Sequence, residues 1–356
     1  MKLKRLAALV LAGVMCLTAF TGCGVKADET IATLGEEKVS YGVAHFLTKY
    51  QKATMDDYYA MYATLYGVDS LWDVDMSGSG STTEEEFKAS AMDLLHDMYT
   101  LKAHMADYKV EVTAEDEAAI KKAAQAFMAA NTEDALKEMG ATEEIVAEVL
   151  TLYTIQAKMY KAIIVDTDRE VKDEDANMRG ITLVSIGITG EYNDKGSYVK
   201  YTEEQIKSIK ATAEKIVTES ASVGLTTAAK NNNYTAEDTA YNKNDSTIDK
   251  TLIKALNELK EGETSKVIET TSYLYIAKID EEIDKEATEE NREAIIAERE
   301  SKLYSDTLDK WQKEDGWKVD ESLVKKIDFH HNFTLEDPSE KETEKGTEKV
   351  DSTEEK

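Results

Sequence analysis

The sequence predicts an α+β protein in which a domain of long helices is joined to a small β-α-α-β domain. Three observations predict it. Over residues 41–164 the apolar side chains recur at helical spacing with few interruptions. Over residues 181–280 two apolar, β-branched runs bracket two helical patterns. The single proline, Pro338, lies near the C-terminus, so none interrupts a helix in the body of the chain.

The N-terminus sets the expected location. Lys2, Lys4 and Arg5 precede an apolar run over 6–20, which ends in FTGC. The run is short for a membrane span and carries signal-peptide flanks. Its ending resembles a bacterial lipobox, which makes residues 1–22 a lipoprotein signal and Cys23 the lipidated first residue of the mature chain. An ordinary cleaved signal or an uncleaved N-terminal anchor are the alternatives. Cys16 lies within the signal, so Cys23 has no disulfide partner in the mature chain. Two acyl chains suffice for stable anchoring. No later segment approaches the roughly 18 apolar residues of a spanning helix. The expected place is the outer face of a cell membrane of Gram-positive type, held by a lipid anchor.

The formal net charge is −28, and the first five residues hold three of the cations. Such a surface repels nucleic-acid phosphates, so nucleic acid is excluded as a partner. Residues 334–356, TLEDPSEKETEKGTEKVDSTEEK, have almost nothing to bury and are predicted to be a disordered acidic tail.

Residues 23–172 read as the helical domain. A short strand at 31–34, a GEE turn and a second strand lead into a helix from about Tyr41 to Tyr66, studded with Tyr58, Tyr59, Tyr62 and Tyr66. The loop WDVDMSGSGSTTEEE ends in a threonine cap before acids. Phe87, Ala91, Leu94, Met98, Leu101 and Met105 then mark one face of a long helix. Thr113 caps the next helix, with acids in its first turn. NTEDALKEMG is a short helix stopped by Gly140, and 142–164 is a long one with Val149, Leu152, Ile155 and Met159 on one side. Methionine and tyrosine on these faces read as core filling.

Residues 173–284 read as the second domain. A strand at 181–188 is followed by a glycine-rich loop, a helix over 202–220, a polar stretch, and a short helix over 252–259. After the KEGETS turn, KVIETTSYLYIAKID is a strand or a strand pair. Residues 285–333 contain a charged helix over 288–311, expected to pack back on the first helices.

Three stretches resemble extracytoplasmic foldases of the PrsA and SurA type: TLGEEKVSYGVAHFLTKYQ, DREVKDEDANMRGITLVSIGI and LIKALNELKEGETSKVIETTSYLYIAKID. The resemblance implies a SurA N-terminal-like helical chaperone domain and a parvulin-type peptidyl-prolyl isomerase domain. It also implies unfolded secreted polypeptides as clients, contacted by Tyr58, Tyr62, Tyr66 and Tyr273. The two histidines common in parvulin domains fall at Thr182 and Tyr275, so the isomerase site is degenerate and turnover is expected to be weak or lost. Rotation about an X-Pro bond needs no nucleophile and no cofactor, only an apolar pocket for the ring and stabilisation of the twisted amide. The alternative function is a non-catalytic binding lipoprotein, solute-capturing or wall-associated.

Other chemistry is weakly signalled. Asp73, Asp75, Ser77, Gly78 and Glu84 match positions of a twelve-residue calcium loop, but Gly80 stands where an apolar side chain belongs. A flexible loop before a capped helix is the alternative. His96 and His104 are too far apart on one helix to chelate together, and no metal or cofactor site is expected.

Overall fold

The computed structural model describes residues 24–336. The expected signal peptide over 1–22, Cys23 and the chain beyond Glu336 lie outside the described residues.

Two strands lead, β1 (Thr30–Leu34) and β2 (Glu37–Ser40), followed by α1 (Tyr41–Tyr66), α2 (Thr83–Ala103), α3 (Ala114–Ala130), α4 (Glu133–Met139) and α5 (Glu143–Ile163). Next come α6 (Asp173–Ala176), β3 (Met178–Gly187), β4 (Gly190–Tyr192), β5 (Tyr198–Lys200), α7 (Glu203–Val223), α8 (Leu225–Asn231) and β6 (Ala236–Asn242). The order closes with α9 (Lys250–Glu258), β7 (Ile268–Glu269), β8 (Tyr273–Glu281), α10 (Lys285–Gln312), β9 (Lys318–Val319) and α11 (Glu321–Val324).

The chain divides into two units. One ends at Val165 and resumes at Tyr304; the other runs Asp166–Leu303. The second is wider than the expected 173–284, because residues on both sides are tied to it. Arg292 Nη1 donates to Val171 O (2.6 Å), and Asn291 donates to the carbonyls of Asp175 and Ala176 (both 3.0 Å).

In the first unit, side-chain caps set the helix starts. Ser40 Oγ accepts from Val43 N–H, and Thr82 and Thr113 form capping boxes with Glu85 and Asp116. Gly67 and Gly140 end α1 and α4 at φ 68° and 64°, a conformation that suits glycine. The core gathers Ile31 and Val39 from the strands, Phe46 and Leu47 from α1, Leu95 and Tyr99 from α2, and Val149 and Leu152 from α5. Along α2, Ala91, Met98 and Leu101 are buried as the periodicity predicts. The buried face also takes in Met92, Leu95 and Tyr99, and Met105 falls beyond the helix end.

The C-terminal segment returns to this core. β9 pairs with β1, giving a three-stranded antiparallel sheet of order β2-β1-β9. Beyond α11, Ile327 and Phe329 are buried, and the Phe329 ring packs edge-on to Trp72 with centroids 5.0 Å apart. Of the tail expected from residue 334, the first residues are ordered: Leu335 packs on the core and Glu336 N–H donates to Asn131 Oδ1 (3.0 Å).

The second unit is built on an antiparallel sheet of order β6-β3-β8-β7. Side chains alternate across it. Val184, Ile186, Leu274 and Ile276 face Ala213, Ile216, Ala228 and Ala229 from α7 and α8. Ile181, Ala277 and Ile279 face Leu252 and Leu256 from α9. A helical layer thus covers each face. Arg179 fastens α9 to β3: Nη1 donates to Leu256 O and Tyr241 Oη, and Nη2 to Leu259 O, each at 2.8 Å. These carbonyls lie at the C-terminal end of α9, where a cation is favoured.

Candidate binding surfaces

Helix α1 changes character along its length. All its buried residues except Ala63 lie at or before Lys52, so the first half is embedded and the second half emerges from the core. The emerging half is nevertheless apolar. Tyr58 is 50% exposed, Met61 60%, Leu65 75% and Tyr66 60%, with Tyr62 half-buried between them. Positions 58, 61, 62, 65 and 66 lie on one side of a helix. The stripe spans about 12 Å at 1.5 Å per residue.

The rings form a ladder. Tyr58 and Tyr62 have centroids 4.7 Å apart, and Tyr62 and Tyr66 stack at 6.5 Å. A hydrogen bond with Tyr62 pushes the Tyr58 phenol above its ordinary pKa, so it stays neutral at physiological pH. On the opposite edge, Tyr59 packs edge-on to Trp72 (4.4 Å), which holds the helix to the core while the stripe faces solvent. The core-filling expectation therefore holds for Met98 and Met159, both fully buried, and fails on the outer side of α1. Met61 and Leu65, not singled out from the sequence, complete the surface. Their signal was the spacing from the tyrosines.

Tyr273 belongs to the other unit. It is 45% exposed at the start of β8, with its ring 5.6 Å from that of Tyr275. Nearby, the hairpin β4–β5 presents Tyr192 and Tyr198 in an edge-on pair.

Thr182 and Tyr275 are not brought together. Thr182 pairs in register with Lys278, and Tyr275 pairs with Ser185. With alternating side chains, Thr182 shares the α7–α8 face with Val184, whereas Tyr275 shares the α9 face with Ala277. No joint hydrogen-bond network of the two hydroxyls is possible across the sheet. The Thr182 hydroxyl donates to Asp280 Oδ2 (2.6 Å) and lies 3.1 Å from Asp238 Oδ1, and Lys278 Nζ pairs with Asp280 Oδ1 (2.5 Å). An open hollow of about 770 Å³ beside Thr182 has a mixed lining, with Asp238, Asp280 and Glu290 beside Lys278 and the apolar Val223 and Leu225. Tyr275 is half-buried, and burial pushes its phenol pKa up.

The Asp73–Glu84 loop closes on itself. Asp75 accepts from Gly80 N–H (2.9 Å) and Gly78 N–H (2.7 Å), which holds its carboxyl below the usual range. Ser77 and Ser79 donate to Glu86, and Glu84 pairs with Lys88 (2.5 Å). The Asp75 and Glu84 carboxylates are turned to these partners. His96 pairs with Asp315 (2.7 Å) and stacks on Trp317, and His104 stacks on Trp311. Among the described residues no helix is long and apolar enough to cross a membrane.

No protein-family model and no curated protein matches the chain. Among solved structures, it matches the foldase protein PrsA of Lactococcus lactis at 16% identity and a TM-score of 0.35, over 85% of this chain and 100% of that one. The chain is similar to PrsA-type foldases. PrsA of Streptococcus pneumoniae matches at 14% identity and a TM-score of 0.29, over 71% of this chain and 97% of that one. A SurA-like chaperone of Campylobacter jejuni matches at 14% identity and 0.28, over 82% and 98%.

Proposed function

We propose that the protein is an extracytoplasmic chaperone, tethered to the outer face of the membrane through Cys23, that holds unfolded secreted polypeptides without isomerising them. The observation that carries this reading is the exposed stripe of Tyr58, Met61, Tyr62, Leu65 and Tyr66 on α1. Contiguous exposed apolar surface marks a binding site. Methionine and tyrosine suit many partners, because one is flexible and polarisable and the other joins an apolar ring to a polar tip. Tyr273 supplies a second contact of the same kind on the other unit.

The absence of turnover is supported by the second unit. Isomerisation needs an apolar seat for the proline ring. The hollow beside Thr182 is open, and carboxylates and Lys278 stand among its apolar lining residues Ile181, Val223 and Leu225, so it is no enclosed apolar seat; Tyr275 faces the opposite side of the sheet. The strand pattern supports a chaperone over a solute-capture protein. Among the described residues every strand pair is antiparallel, whereas solute-binding lobes are built from parallel βαβ units.

Two assays on the full chain test the reading together: suppression of aggregation of a denatured protein, and cis-trans isomerisation of a proline peptide. Suppression without isomerisation is expected. Strong isomerisation would overturn the non-catalytic claim, and inactivity in both would favour the binding lipoprotein.

A further inference from the structure

We infer that the α1 stripe selects cationic client segments, those in which Lys or Arg side chains accompany an apolar helical face. This rests on the stripe being a capture surface and goes further, to what it captures. Between Lys52 and Lys88 the chain has no lysine, arginine or histidine, while Asp57, Asp69 and Asp73 are exposed beside or just beyond the stripe. The two flanking lysines present no charge to a ligand. Lys52 is buried and bound by Asp56 and Asn332, and Lys88 is buried against Glu84. The segment that carries the tyrosines therefore contributes only negative charge to its surface.

The ring ladder adds a second term of the same sign. The Tyr58, Tyr62 and Tyr66 rings are partly exposed, and an aromatic face attracts ammonium and guanidinium groups within about 6 Å. Met61 and Leu65 supply the apolar seat between the rings. Asp57 lies at the edge nearest Met61, four residues before it on the helix. A partner that matches both features places apolar side chains on Met61 and Leu65, with Lys or Arg over the rings and toward the carboxylates. Charge complementarity of this kind sets which partner is accepted more than how tightly any partner binds. A second copy of this chain does not match, because it would bring the same acids against the same acids.

The test uses three fluorescent peptides with one amphipathic apolar face and flanks of Lys/Arg, Gln or Glu. Binding to the full chain is read by anisotropy at low salt and at high salt. The Lys/Arg peptide is expected to bind at least about tenfold more tightly than the Glu peptide at low salt, with the gap narrowing as salt screens the carboxylates. In the triple variant Tyr58→Leu, Tyr62→Leu, Tyr66→Leu, the apolar seat remains and the rings are gone, so the ratio of Lys/Arg-peptide to Gln-peptide affinity should shrink severalfold. Equal binding of the Lys/Arg and Glu peptides, or an undiminished preference in the triple variant, would overturn the inference. Concentration-dependent self-association abolished by the triple variant would overturn it too, by naming a second copy as the occupant. Aggregation suppression with no charge preference leaves the chaperone reading standing and this inference refuted; inactivity toward all peptides and the denatured protein refutes both.

Discussion

Lys52 is buried with its ammonium bound by both oxygens of Asp56 (2.9 and 2.8 Å) and by Asn332 Oδ1 (2.7 Å). It also lies 5.8 Å from the ring centroids of Trp72 and Phe329. The C-terminal segment is thus clasped by a charge that water no longer solvates. Lys52→Met leaves Asp56 without its counter-ion and should cost about 3 kcal/mol of stability, read by denaturant unfolding. His45 is a second buried group of the same region. Its ring donates from Nδ1 to Met139 O (3.0 Å), and burial pushes its pKa from 6.5 down to about 4. The unfolded chain takes up the proton below about 6.5, and the folded chain does not until about 4. Stability should therefore be unaffected by this group above pH 6.5 and fall as pH drops from 6.5 toward 4, by roughly 3 kcal/mol in all. His45→Gln should flatten that part of the stability–pH curve. Neither Lys49, Lys52 nor His45 was legible as buried in the sequence, because the segment covering the lysines lies about 280 residues further on.

Among the elements, those with strong periodicity were legible and those defined by an edge were not. α1, α3, α4 and α5 fall where capping residues and apolar spacing place them. β6, AEDTAYN, carries no clear strand signal in the sequence, because it is the outer strand of its sheet and only Tyr241 is buried. α8, LTTAAKN, is seven residues, too short to show a period. The stripe on α1 was legible as tyrosines at helical spacing, but the sequence does not say on which side of the helix the core lies. Solvent on that side makes a distinct expectation for stability. Replacing Tyr58, Tyr62 and Tyr66 with serine should change unfolding free energy by only about 0.5 kcal/mol each, since exposed positions away from the core tolerate substitution. Replacing buried Phe329 with alanine should cost about 3–5 kcal/mol. Both are checked by thermal or denaturant melts.

Across the whole molecule, the hydrophobic cores respect the division of the chain. The core of the first unit draws on residues 25–152 and on the C-terminal segment after residue 316. The two cores of the second unit lie wholly within Asp166–Leu303. That fragment should fold alone, with dispersed amide resonances and one cooperative transition. The first unit is completed by β9 and by residues 327–335, so truncation before β9 should unfold it. The proposed division of labour follows the same line: capture belongs to α1 in the first unit, and the second contributes a sheet in which Thr182 and Tyr275 look in opposite directions.

The most direct measurement compares aggregation suppression by the full chain with that of the variant Tyr58→Ser, Met61→Ser, Tyr62→Ser, Leu65→Ser, Tyr66→Ser, after circular dichroism has shown equal helix content. Suppression lost in the folded variant is the predicted result. Suppression retained at full strength would contradict the assignment of capture to α1.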